Sequence, residues 1–248
     1  KAAMAMASDG LPSAISNGTA DEVNIMSPLR WGVAMRVAVT GAAGLIGGVV
    51  FDRLIADGYD VVGIDRPHDE WLSAGRNTDD TEAPSRVTHH FDLAEASDDE
   101  WQMMLKGCEV VVHLAADANP SNSDDSMMRN NVEVTTMLMR NALASGVRRV
   151  VLSSSGLTQV GLESELLEGG SLEGQLIGVK HGVSTTSTYG VSKVFVEQLG
   201  EYYSFKHGME CIVVRIGTVI PDESEHWERG GRLLATAFLQ SDVAQFFS

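Results

Sequence analysis

From Met35 onward, short β-branched apolar runs alternate with longer stretches in which apolar residues recur every three or four positions. "MRVAVT" (35–40) reads as a strand, "GAAGLIGGVVFDRLIADG" (41–58) as a helix opened and closed by glycine, and "YDVVGID" (59–65) as a second strand. A polar stretch with Pro67 and Pro84 leads to a strand "RVTHHFD", a helix around "SDDEWQMMLKG" and the strand "EVVVHLAA". The spacing then predicts a long helix over roughly 124–145, the strand "VRRVVLSSS" after Gly146, an irregular segment, a helix from Thr188, and the strand "ECIVVRIGT". Strands that are apolar throughout, separated by amphipathic helices, predict a parallel sheet buried on both faces. The expected fold class is therefore α/β, with a doubly wound parallel sheet.

Residues 1–34 do not share this pattern. They are small, polar and aperiodic, with Asp9, Asp21 and Glu22 but few basic residues, which suits neither a transit peptide nor a secretory signal. An irregular N-terminal arm is expected there. Across all 248 residues, 34 acidic against 18 basic side chains give a formal net charge of −16. That balance argues against nucleic acid and anionic membrane surfaces as partners. No apolar run approaches the ~20 residues that span a bilayer, so no membrane insertion is expected. Cys108 and Cys211 stand alone in apolar runs and form neither a disulfide framework nor a metal cluster. A reducing compartment, cytoplasm or organelle matrix, is expected.

Open parallel sheets bind ligands outside the carboxyl ends of their strands, so those ends are where chemistry is sought. After the first strand, Gly41, Gly44 and Gly47 follow at three-residue spacing. In that context they suit a tight turn, close backbone approach to a pyrophosphate, and close helix packing. The second strand ends at Asp65, placed to accept hydrogen bonds from an adenosine ribose and to repel a 2′-phosphate. NAD is favoured over NADP, with the adjacent Arg66 able to blunt that preference. The third strand ends at Asp92-Leu93, the fourth at "HLAA" (113–116), where Ala115 and Ala116 leave room for a flat ligand. His113 reads as a buried structural histidine. The fifth strand ends in Ser153, Ser154 and Ser155. Tyr189 and Lys193, at i and i+4, share one helix face. A nearby ammonium favours the phenolate, so the pair predicts a lowered tyrosine pKa and a general base near neutral pH. Ser155, Tyr189 and Lys193 make a proton-transfer set.

Together these segments resemble an extended short-chain dehydrogenase/reductase of the NAD-dependent epimerase/dehydratase superfamily. The matching pieces are "TGAAGLIG", "FDLAE", "VVHLAA", "NNVEVTTMLMRNALASGVRRVVLSSS" and "YGVSK", over roughly residues 35–220. The resemblance implies a Rossmann-type domain over 35–220 that binds NAD and carries Ser155, Tyr189 and Lys193 as the catalytic residues. It also implies cofactor contacts from Gly41, Gly44, Leu45, Ile46, Gly47, Asp65, Asp92, Leu93, Leu114, Ala115, Ala116, Asn131, Tyr189, Lys193 and Ile216. A homodimer through the helices at roughly 124–145 and 188–206 is implied as well, and the arm could hold the chain in a larger complex.

Within the superfamily, "YGVSKVFVEQLGEYYSFKHGMECIVVRIGT" and "GGRLLATAFLQSDVAQFF" look most like the uronate dehydrogenases, which oxidise the anomeric carbon of a sugar acid with NAD. That likeness implies a sugar or sugar acid as substrate, held by Ser155, Thr218 and Arg232. Residues 221–248 would be a small or truncated substrate-binding portion, since the family generally continues further. Three departures stand out. Gly156-Leu157 replace an Asn-His pair, Ala118 replaces a small hydroxyl residue, and the stretch from Ser155 to Tyr189 is longer than usual. They keep two alternatives open: a non-catalytic dinucleotide-binding subunit of a larger assembly, and a nucleotide-sugar epimerase.

Overall fold

The computed structural model describes residues 29–30, 33–66, 86–166, 169–220 and 236–247. Six strands form one parallel sheet: β3 (Arg36–Thr40), β4 (Asp60–Asp65), β5 (His89–His90), β6 (Val110–His113), β7 (Arg149–Ser155) and β8 (Glu210–Ile216). Their spatial order is β5-β4-β3-β6-β7-β8, so the chain winds outward in both directions from the β3/β6 junction. The register runs Thr40 opposite His113 and Ser155 opposite Ile216, which brings the strand ends named above to one edge.

Alternate residues of each strand feed two cores. Val37, Val39, Val110, Val112 and Val151 face α1 (Leu45–Ala56), whose Val50 and Leu54 are fully buried against them. Ala38, Val111, Val150 and Leu152 face the other layer, made by α2 (Asp98–Met104), α4 (Val134–Ala144) and α5 (Thr188–His207). This is why the strands read as uninterrupted apolar runs. Serine caps start α2 and α5: Ser97 with Glu100 forms a capping box on α2, and Ser187 accepts from Gly190 N–H on α5. Gly200 lets α5 settle onto the sheet. A Cβ there would lie 2.9 Å from Leu152 Cδ1 and 3.2 Å from Val213 Cγ2.

The structure departs from the sequence reading in four places. The strand expected over "RVTHHFD" shortens to His89–His90, because ahead of it the Gly63 N–H of β4 donates to the Thr88 side-chain hydroxyl (3.3 Å) and not to a backbone carbonyl. The long helix is broken into α3 (Asp124–Met127), a π-helical turn over Met128–Glu133, and α4. The end of the expected irregular arm forms an antiparallel ribbon, β1 (Leu29–Arg30) with β2 (Val33–Ala34); residues 1–28 lie outside the described residues. Finally, β9 (Thr218–Ile220) pairs with β10 (Ala237–Leu239), and α6 (Gln240–Phe246) follows directly. Val243 and Phe247 are buried in the core beside α1. The described part of 221–248 thus packs beside the nucleotide-binding layer, and residues 221–235 lie outside the described residues.

His113 behaves as the structural histidine expected. It is buried between Thr40 Oγ1, 2.7 Å from Nδ1, and Thr135 Oγ1, 3.1 Å from Nε2. Thr135 already donates its proton to the Asn131 carbonyl (2.6 Å), so His113 Nε2–H donates to Thr135 and Nδ1 accepts from Thr40. Burial and the Lys193 charge push the imidazole pKa down to about 3 from 6.5. The unfolded chain therefore takes up this proton first, and folding stability falls as pH drops below 6.5 toward 3. Urea unfolding across that window should show wild type losing up to ~1.4 kcal/mol per pH unit more than His113→Gln. Parallel pH profiles for the two proteins would contradict a neutral buried imidazole.

Candidate active site

The loop between β3 and α1 is drawn tightly over the sheet edge. Gly41 takes φ +72°, and a Cβ on it would lie 2.7 Å from Ala115 N. A Cβ on Gly47 would lie 1.9 Å from the Gly41 carbonyl oxygen, so only glycine fits either position. The result is a cleft of about 590 Å³ along the carboxyl ends of the strands. Gly41 and Gly44 line it, as do Asp65, Asp92, Leu93, Leu114, Ala115 and Ala116. The other expected cofactor residues support it from outside the lining. Leu45 and Ile46 open α1, and Gly47 holds the turn. Ile216 ends β8 opposite Ser155.

Asp65 is buried with its carboxylate turned to the glycine loop, where Oδ2 accepts from Ala43 N–H (2.9 Å) and Oδ1 from Arg66 N–H (2.8 Å). Asp92 caps the next turn at Ala94 N–H (3.0 Å) and pairs with Arg129 (3.1 Å). Asn131 faces inward from the π-helical turn. It accepts from Asp117 N–H (2.8 Å) and donates to the Asp117 carbonyl (3.0 Å) and to Ser192 Oγ of α5 (3.0 Å). Its role is to tie the β6 loop to the helix that carries Tyr189, and the irregular turn is what aims it there.

A polar wall of the cleft was not anticipated. Arg66 reaches Asn130 Oδ1 (3.4 Å), Asn130 donates to Ser126 Oγ (3.1 Å), and Ser126 donates to Asp117. Asn122 also donates to both Asp117 oxygens at 2.9 Å. Only the i, i+4 spacing of Ser126 and Asn130 hinted at it, and that spacing also suits a solvated helix face.

At the other end of the edge, Ser155, Tyr189 and Lys193 converge and are all buried. Ser155 Oγ accepts from Leu157 N–H (3.2 Å), which leaves its proton free to donate to the Tyr189 oxygen. Lys193 Nζ donates to the Ser153 carbonyl (3.0 Å) and lies 5.7 Å from the Tyr189 ring centroid. Burial lowers the lysine pKa to about 8. The tyrosine corrects the sequence reading: burial raises its pKa, the Ser155 hydrogen bond offsets part of that, and the Asp117 charge adds to it. Desolvation of the phenolate outweighs the ammonium one turn away. Gly156 has room for the missing side chain, since a Cβ would meet only the Ile216 carbonyl oxygen, at 3.9 Å. Thr218 is exposed at the start of β9, and Arg232 lies outside the described residues.

The comparisons with known proteins show the family of the chain. The model of the NAD dependent epimerase/dehydratase family matches residues 37–240. The chain belongs to that family. It is 34% identical over 188 residues to L-arabinose 1-dehydrogenase (NAD(P)(+)) of Haloferax volcanii, covering 75% of this chain and 67% of that protein. It is 32% identical over 202 residues to UDP-glucose 4-epimerase of Mycolicibacterium smegmatis, covering 79% of this chain and 60% of that protein. The crystal structure of uronate dehydrogenase from Agrobacterium tumefaciens superposes with a TM-score of 0.64 at 26% identity, over 86% of this chain and 70% of that one. The chain thus spans between 60% and 70% of the length of these three proteins. NAD is the family's cofactor, and the glycine loop and the Asp65 carboxylate fit it.

Asp65 should make NAD bind more tightly than NADP, by about tenfold or more, because a 2′-phosphate would face a buried carboxylate. Asp65→Ser should narrow that ratio, leaving Arg66 as the nearest charge. Fluorescence titration with NADH and NADPH measures both. Equal affinities for wild type would rule out the assignment of Asp65.

Proposed function

We infer that this protein is an NAD-dependent dehydrogenase that oxidises the anomeric carbon of a sugar or sugar acid. The observation that carries the reading is the convergence of the Ser155 hydroxyl, the Tyr189 phenol and the Lys193 ammonium at the end of β7, beside a cleft that suits a dinucleotide. Likeness to an arabinose dehydrogenase and to a uronate dehydrogenase supports the substrate class.

Tyr189 takes the proton of the anomeric hydroxyl onto its phenolate oxygen. Ser155 donates a hydrogen bond to the same substrate oxygen and holds it as charge develops. Lys193 keeps a positive charge behind the phenol and is anchored by the Ser153 carbonyl, so it needs no rearrangement during the reaction. When bound, NAD supplies the acceptor for the hydride leaving the anomeric carbon. Loss of that proton and hydride turns the anomeric carbon into the carbonyl of a lactone. Glycine at 156 and leucine at 157 offer the sugar no polar side chain, so specificity rests on groups elsewhere, with Arg232 proposed as the grip on an anionic sugar.

Likeness to UDP-glucose 4-epimerase keeps a second reading in view, in which the hydride returns to the substrate. A screen of neutral sugars, uronates and sugar phosphates separates the two, since only a dehydrogenase accumulates NADH. Tyr189→Phe should lower turnover of the best substrate by about 10²–10⁴-fold while NADH still binds. Because burial raises the phenol pKa and lowers that of Lys193 to about 8, wild-type oxidation should quicken as pH rises from neutral and then level off or fall as Lys193 loses its charge. Full activity in Tyr189→Phe would remove the proposed base.

A further inference from the structure

Lys193 and Glu197 stand at i and i+4 on α5, where opposite charges normally meet. Both are almost fully buried, 4% and 3% exposed, so attraction between them would be screened little by water. Yet they face different partners. Lys193 Nζ turns to the Ser153 carbonyl at 3.0 Å and the Ser153 hydroxyl at 3.5 Å. Glu197 turns to Arg215, which binds it with both arms, Nε to Oε1 and Nη2 to Oε2, each at 2.7 Å. Ser154 Oγ adds a third donor to Oε1 at 2.5 Å. Ser154 and Arg215 are register partners on β7 and β8, so the two strands present a ready-made fork to the carboxylate.

We propose that Arg215 is a positioning residue whose bidentate hold on Glu197 withholds that carboxylate from Lys193 and keeps the lysine ammonium beside Tyr189. The role rests on the reading of Tyr189 and Lys193 as the proton-transfer pair. Stability alone is a poor reason for this pair. Arg215 Nη1 is buried without a hydrogen-bond partner among the described residues, and an apolar pair of similar volume would leave no such orphan. Other groups around Lys193 cannot take over as its counter-charge. Tyr189 on the same helix is held as a phenol and His113 on β6 is neutral, while Asp117 after β6 stays ionised but is turned toward Asn122 and Ser126. Glu197 is therefore the carboxylate with the helical spacing to capture the ammonium, and Arg215 is what occupies it.

The chain has five lysines, so protein labelled with ¹³C at the lysine ε-carbon gives few signals, and Lys193→Arg assigns the one of interest. In wild type its titration midpoint should lie near 8. In Arg215→Met, Glu197 becomes free to pair with Lys193, and the midpoint should rise by about one pH unit or more. Turnover should fall with it, by about tenfold or more, with little change in KM. Arg215→Lys keeps a cation on Glu197 and should hold both readings near wild type. The double variant Arg215→Met/Glu197→Gln removes the competing carboxylate, and the midpoint should return toward 8. If Arg215→Met does not fold, Arg215→Gln carries the same expectation, and the double variant supplies the comparison. An unchanged Lys193 midpoint in a folded Arg215→Met or Arg215→Gln protein overturns the proposal. A shifted midpoint in a protein that oxidises no sugar would instead overturn the proposed reaction and leave the Arg215–Glu197 role standing.

Discussion

Lys193 places an ammonium group against the sheet with a backbone carbonyl at 3.0 Å as its nearest acceptor. A buried charge with no carboxylate paired to it among the described residues imposes conditions on everything around it. The helix that carries it must lie close to β7, and Gly200 makes that approach possible one helical stretch further on. Neighbouring groups must be neutral or of the opposite sign. His113 meets the condition by staying uncharged, its pKa pushed down to about 3, and Tyr189 meets it as a phenol. Glu197 would neutralise the ammonium outright, and the Arg215 fork occupies it instead. The strand ends and the tyrosine are thus organised around one unpaired positive charge.

That charge stands at the end of β7, and the glycine loop stands at the end of β3. The β3/β6 junction separates them, which is where the chain changes winding direction. Asn131 joins the two halves, since it holds the Asp117 backbone beside the cleft and the Ser192 hydroxyl on the helix that carries Tyr189. The same topology is shared with epimerases and dehydrogenases alike, so it identifies the family and the cofactor while leaving the substrate to the residues around the sugar.

Much of this was legible in the sequence because it is local. Apolar runs fed two cores, and a glycine triplet between a strand and a helix marked the dinucleotide loop. Asp65 fell at a strand end, and an i, i+4 phenol and ammonium could be read without knowing any long-range contact. What could not be read depends on distance in the chain. Arg66 meets Asn130 across 64 positions, and Ser154 meets Glu197 across 43. The π-helical turn has no signature, because residues 128–133 keep ordinary helical polarity while Asn131 is turned inward. The direction of the Tyr189 shift was misjudged for a related reason. Spacing shows that a charge is near, whereas desolvation depends on the whole surrounding fold.

In the proposed reaction a hydride leaves the anomeric carbon of a sugar for NAD while Tyr189 receives the hydroxyl proton. The most direct measurement follows the hydride itself, using a sugar deuterated only at the anomeric carbon and mass spectrometry of the NADH formed. NADH should carry that deuterium, with the sugar recovered as its lactone or the corresponding acid. Unlabelled NADH, or a sugar epimer that keeps its deuterium with no NADH released, would contradict it.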